Sequence, residues 1–168
     1  MATVRHAERS CELGTALQIE PAPVDREHAA TVPENGLAMV RLAIRGNPAF
    51  GATDLEVRRR GKSYTVETLR ELAGHFPAGT ELVFMIGMDA FEEIATWHEA
   101  ALLAGEAHFA LFPRVGHPLG GPRRHAPKAW GLAAPRPLPG GGQSWRTAAG
   151  TRVFLLPTEQ FSIAASTI

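Results

Sequence analysis

The sequence has one cysteine, Cys11, so it builds no internal disulfide. A reducing, cytoplasmic compartment follows from that usage, and Cys11 reads as an ordinary thiol with nothing nearby to activate it. Lysine and arginine together number 17, against 17 aspartates and glutamates. That balance lacks the basic excess that holds long nucleic acid, although it is compatible with a small anionic ligand. No stretch reaches the roughly 18 consecutive apolar residues of a membrane span. Residues 1–12 contain no apolar core of signal-peptide type. The Walker A phosphate loop, the G-x-G-x-x-G fingerprint and the G-x-S-x-G elbow are all missing. Seven histidines are scattered, with only His117 and His125 near each other in sequence. One cysteine does not complete the usual four-ligand set of structural zinc, so no protein-held metal is expected.

What remains is ordinary globular material, 45% hydrophobic and 20% charged, in 168 residues that suit a single domain over 1–168. Residues 7–13 read as the tail of a helix closed by Gly14. Thr15-Ala-Leu-Gln-Ile-Glu reads as a short strand stopped by Pro21-Ala-Pro, and residues 24–35 as polar and irregular. Leu37, Val40, Ala43 and Ile44 share the i, i+3, i+4 face of a helix that ends at Gly46-Asn47-Pro48. Asp54-Leu-Glu-Val alternates polar and apolar, as an edge strand does. A helix opens around Ser63 and runs to Gly74, with Ser63 or Thr65 as capping oxygen. Pro77-Ala-Gly makes a turn.

The run Glu81-Leu-Val-Phe-Met-Ile-Gly predicts a strand buried on both faces. Helical segments over 89–94 and 98–103 follow, then a second buried strand over 107–113. Residues 116–150 are dense in glycine and proline and read as a long loop or insertion. A last strand covers 151–157, and Ser162 opens a helix start. The alternation predicts an α/β fold with a mostly parallel sheet, helices on both faces, and ligands beyond the carboxyl ends of the strands.

At those ends stand the candidate functional residues. Gly87 allows close backbone approach just after a buried strand, and Asp89 beside it serves either as a hydrogen-bond acceptor or as a helix cap. Trp97 is either a platform for a flat ring or a core residue, and His98 a site residue or a surface one. The helix start at Ser63-Tyr64-Thr65 offers free N–H groups to a carboxylate or phosphate, or is simply capped. Arg58-Arg59-Arg60 and Lys62 read as a solvated face or a phosphate contact. Arg114, at the sheet's carboxyl edge, suits a phosphate or is an ordinary surface arginine.

Four segments in this order resemble the bacterial nicotinate-nucleotide adenylyltransferase family: LAMVRLAI (37–44), DLEVRRRGKSYTVETL (54–69), ELVFMIGMDAFEEIATWHE (81–99) and AHFALFPRVGHP (107–118). The likeness is close across 37–118, looser in 7–23 and 152–168, and absent in the Gly/Pro loop. It implies a three-layer, Rossmann-like nucleotidyltransferase fold and transfer of the adenylyl group of ATP to nicotinate mononucleotide, giving deamido-NAD and pyrophosphate. It also implies roles: Ser63, Tyr64 and Thr65 at the nicotinate carboxylate, Trp97 on the pyridine ring with the His98 backbone beside it, and Gly87 and Asp89 at a nucleotide sugar or phosphate. Arg114 and Ser166 would lie at phosphates, and Mg2+ would enter with ATP.

The family's opening strand and its G-T-F-D-P-x-H-x-G-H turn have no counterpart in the 168 residues. His6 has neither a preceding strand nor a glycine-rich turn. The family's P-P-H-K is replaced by Val24-Asp-Arg-Glu-His, and I-S-S-T-x-I-R by Ile163-Ala-Ala-Ser-Thr-Ile. The expectation is a family member cut at both ends, without its first strand. Two function classes follow, an adenylyltransferase and a catalytically inactive nucleotide-binding remnant; a weaker third is an interaction module using Pro135 to Pro139. Expected partners are ATP and nicotinate mononucleotide, not nucleic acid or membrane, and a homo-oligomer is compatible with the sequence.

Overall fold

A computed structural model describes residues 2–5, 15–18, 33–47, 49–59, 62–114, 117 and 120–157. The apolar run that starts at Glu81 becomes strand β4, Val83–Gly87, with Phe84 and Ile86 buried. Its neighbour is β5, His108–Phe112, almost wholly buried. The two run parallel in register, Val83 opposite His108 and Gly87 opposite Phe112. Strand β8, Arg152–Leu155, joins β5 in parallel, with Phe109 opposite Val153. Buried on both sides, these strands take near-continuous apolar sequences rather than alternating ones.

Helices supply the crossovers. Helix α3, Thr65–Gly74, leads through the Pro77 turn into β4, where Thr80 N–H donates to Pro77 O at 3.1 Å. Short α4, Met88–Glu92, a 3-10 turn, Ile94–Thr96, and α5, Ala100–Glu106, connect β4 to β5. One apolar core unites Val66 and Leu69 of α3, Leu103 of α5, Phe84 and Phe109 of the sheet, and Phe91 of α4. The α/β class with a parallel sheet core is therefore present as the sequence predicts.

Five readings need correction. Residues 54–57 are not a strand: Leu55–Arg58 is a short helix, α2. Thr53 Oγ1 accepts from Leu55 N–H at 3.3 Å, and Arg58 bonds back to Asp54 through both backbone and side chain. Helix α1 spans Pro33–Ala43, so it begins inside the segment read as irregular; proline at the first helical position has φ preset and loses no hydrogen bond. At α3 neither Ser63 nor Thr65 is the cap. Tyr64 holds that position, and no side chain caps the helix.

The fourth correction concerns residues 116–150. Among the described residues of this stretch lie 3-10 turns at Pro122–Arg124 and Lys128–Trp130, and strands β6, Arg136–Pro137, and β7, Gln143–Arg146. Strand β7 pairs antiparallel with β8, giving a five-stranded order β4-β5-β8-β7-β6. Two large side chains hold the stretch down. Trp145 is buried, and fully buried Trp130 donates its indole N–H to Ala100 O at 2.8 Å. Gly142 sits where an added Cβ would meet Leu155 O at 2.8 Å, so this strand entry admits no side chain.

Toward the amino terminus, β1 (Ala2–Arg5), β2 (Thr15–Gln18) and β3 (Gly51–Ala52) form a separate antiparallel sheet in the order β2-β1-β3. The reading that no strand precedes His6 is thereby corrected, because β1 ends at Arg5; four residues at the chain start carry no periodicity that separates strand from coil. The backbone of β2 lies close to that of β4. The helix expected over 7–13, Cys11, and the helix start at Ser162 with Ser166 lie outside the described residues. Among the described residues no helix is long and apolar enough to cross a membrane.

Candidate functional site

A helix that feeds a parallel strand runs against it, so the start of α3 and the end of β4 belong to the same edge of the sheet. The N-cap residue of α3, Tyr64, makes no side-chain cap hydrogen bond. Beside it the Ser63 hydroxyl is buried with no hydrogen-bond partner. Tyr64 is half-buried, and its ring stacks on His98 with centroids 4.1 Å apart and 28° between planes. The stack joins two segments that lie far apart in the chain. Trp97 is also half-buried, edge-on to Phe84 at 6.3 Å, so it serves the core with one side and keeps the rest of its ring accessible.

The other candidates converge at the end of β4. Gly87 caps α4 and carries Asp89 in the first helical turn, so Asp89 is not the cap. A Cβ added to Gly87 would meet Asp89 Oδ1 at 2.3 Å and Arg114 Cγ at 2.9 Å. The absent side chain is therefore what lets Asp89 and Arg114 meet over the backbone. Arg114 Nε donates to Asp89 Oδ2 at 3.4 Å, a long bond between exposed groups. Two residues that the sequence reading missed complete this edge. His117 Nδ1 donates to Glu92 Oε2 at 2.8 Å, and Arg114 and His117 form an isolated antiparallel bridge. The spacing of Asp89 and Glu92 puts both carboxylates on one helix face, but it does not name their partners.

Within the basic run Arg58 is exposed, whereas the Arg59 side chain is largely buried rather than part of a solvated face. Arg58 pairs with Asp54 at 3.0 Å, while Arg59 donates to Thr68 Oγ1 at 3.0 Å and to Glu71. Thr68 in turn donates to Glu56 at 2.8 Å. Burial raises the Glu56 carboxyl, but hydrogen bonding and positive charge, the Thr68 hydroxyl and Arg59 among the contributors, outweigh it and leave it below its ordinary range. Arg59 braces α2 against α3. Arg60 and Ser166 lie outside the described residues. A polar cavity of about 350 Å3 opens among Thr80, Glu81, Glu106, His108 and Thr151. It lies at the amino ends of β4 and β5, the wrong edge for a ligand of such a sheet. Among the described residues no group of three His, Cys, Asp or Glu side chains could hold a metal ion.

The sheet's carboxyl edge thus offers an uncapped helix start, an accessible aromatic face, hydrogen-bonding groups at a strand end and a guanidinium held by one weak contact. It can take a flat ring bearing an acid group, a sugar and a phosphate. No protein-family model matches the chain. Curated proteins do. A probable nicotinate-nucleotide adenylyltransferase of Symbiobacterium thermophilum is 46% identical over 102 residues, covering 61% of this chain and 49% of the relative. Proteins of the same description from a Synechococcus and from Geobacter metallireducens are 44% and 45% identical over 79 and 78 residues, 47% and 46% of this chain. The chain spans about half the length of the first of these relatives, and the matches cover 39% and 36% of the other two.

Proposed function

From the premise that this chain is related to the nicotinate-nucleotide adenylyltransferases, we propose that it provides the mononucleotide-binding side of adenylyl transfer from ATP to nicotinate mononucleotide. The observation that carries the reading is the Tyr64–His98 stack, which sets the uncapped start of α3 beside Trp97. The N–H groups and the positive end of α3 take the nicotinate carboxylate, with the Ser63 hydroxyl as a further donor. Trp97 covers the pyridine ring. Gly87 and Asp89 meet the ribose, and Arg114 leaves Asp89 for the phosphate, which it grips better because two guanidinium N–H groups can engage two oxygens.

In the reaction an oxygen of that phosphate attacks the α-phosphorus of ATP. The new P–O bond forms as the bond to pyrophosphate breaks, and the products are deamido-NAD and pyrophosphate, a step of NAD biosynthesis. The protein's part is positioning and charge stabilisation rather than covalent chemistry. Magnesium enters with the triphosphate, whose oxygens and bound waters supply most of its ligands.

The second reading is a binding remnant without transfer. Titration calorimetry with nicotinate mononucleotide tests what the two readings share. Absence of heat at millimolar ligand, with nicotinamide mononucleotide equally silent, overturns both. Deamido-NAD formation from ATP, magnesium and the mononucleotide separates them.

A further inference from the structure

Arg114 and His117 exchange both of their backbone hydrogen bonds. Arg114 N–H donates to His117 O at 3.2 Å, and His117 N–H to Arg114 O at 2.8 Å. The pair therefore closes the chain on itself directly beyond β5. Both side chains then reach the same short helix, Arg114 to Asp89 and His117 to Glu92. Because Asp89 and Glu92 are three positions apart on α4, they form one carboxylate stripe, and the closed turn is stapled to it at two points.

The two staples are unequal. His117 Nδ1 sits 2.8 Å from Glu92, with side-chain exposures of 43% and 32%. The Arg114–Asp89 contact is 3.4 Å, uses Nε alone, and is 55% and 40% exposed. A long, exposed, single-contact ion pair contributes almost nothing and exchanges readily. The short bond is the one that fixes the turn.

We propose that His117 and Glu92 are positioning residues: their bond keeps the Arg114 turn at the end of β4, so that the guanidinium can exchange Asp89 for a ligand phosphate without the turn leaving the site. This rests on the proposed function, in which Arg114 meets a phosphate. Without the anchor, phosphate binding has to order the turn as well, and affinity falls by that ordering cost.

The test uses the 168-residue chain and two ligands, nicotinate mononucleotide and nicotinate riboside, which differ only in the phosphate. His117→Ala and Glu92→Ala are each expected to weaken the mononucleotide roughly twofold to fivefold, the range of a partly exposed polar side-chain pair. The double variant is no worse than either single one, because one bond is lost only once. His117→Asn recovers most of the affinity. The riboside is unaffected throughout, and in an Arg114→Gln background none of these changes matters. Equal weakening of riboside and mononucleotide, or losses that add to that of Arg114→Gln, overturns the proposal. A second readout is free of ligand: hydrogen exchange at the Arg114 and His117 amides should quicken in His117→Ala and Glu92→Ala but not in Arg114→Gln. If the parent chain binds no mononucleotide, the functional reading fails, and exchange alone judges the anchor; unchanged protection in both alanine variants then overturns it.

Discussion

Trp97 packs edge-on to Phe84 and is only half-buried, and the proposed function gives its remaining surface a second job. Its replacement by alanine is expected to weaken nicotinate mononucleotide by about 0.5–1.5 kcal/mol beyond the lost area. Calorimetric titration of the folded variant measures this, and unchanged affinity would return Trp97 wholly to the core. Ser63 gives a sharper contrast. Its hydroxyl is buried without a partner, an arrangement that costs stability. Ser63→Ala should leave the melting temperature unchanged or raise it by a few degrees, since about 1 kcal/mol moves a domain of this size by roughly 2–4 °C. Mononucleotide affinity should fall in the same variant. A lower melting temperature with normal affinity would show that the hydroxyl is bonded in solution and structural.

At the level of elements, the least expected result is the built structure within 116–150. Its glycine and proline content points to a loop, yet Trp130 and Trp145 anchor it to the core, and β7 extends the sheet. Thr151 Oγ1, just beyond it, donates to Ala104 O, so α5 is held from this side as well. Trp130→Ala should therefore cost about 3–5 kcal/mol, the range for an aromatic truncated in a core. Against a typical total of roughly 5–15 kcal/mol this is severe. A urea titration followed by far-ultraviolet circular dichroism reads it, and a change under about 1 kcal/mol would mean that the stretch behaves as the loop its composition suggests. The misread α2 has a similar origin. Leu55 and Val57 alternate as a strand would, but four residues are too few to separate periods of 2 and 3.6, and the bond from Arg58 back to Asp54 decides.

For the whole molecule, the proposed function treats binding and transfer as separable. Adenylyl transfer depends on donors aimed at the charge that develops on the phosphates, and loss of one such donor typically costs about 10²–10³ in rate. The 168 residues hold no glycine-rich turn with paired histidines. The polypeptide is therefore expected to bind nicotinate mononucleotide while forming deamido-NAD far below one turnover per second, the low end of usual enzyme rates. Coupled detection of deamido-NAD from ATP and magnesium checks this. A rate near one per second would mean that another group of this chain does the work assigned to those histidines.

The strands β4, β5 and β8 and the helices α1, α3 and α5 were legible in the sequence to within a few residues, because continuous apolar runs and 3.6-residue periodicity are properties of local sequence. The positions of Gly87, Asp89, Trp97 and Arg114 at strand and helix ends follow from the same pattern. Tertiary structure alone decided the rest. No periodicity announces that Tyr64 stacks on His98, that Arg59 is spent on Thr68 and Glu71, or that His117 reaches Glu92. Each of these pairs is set by how α3, α4 and the end of β5 are brought to one edge of a parallel sheet, and contacts made across elements leave no trace in the spacing of either partner.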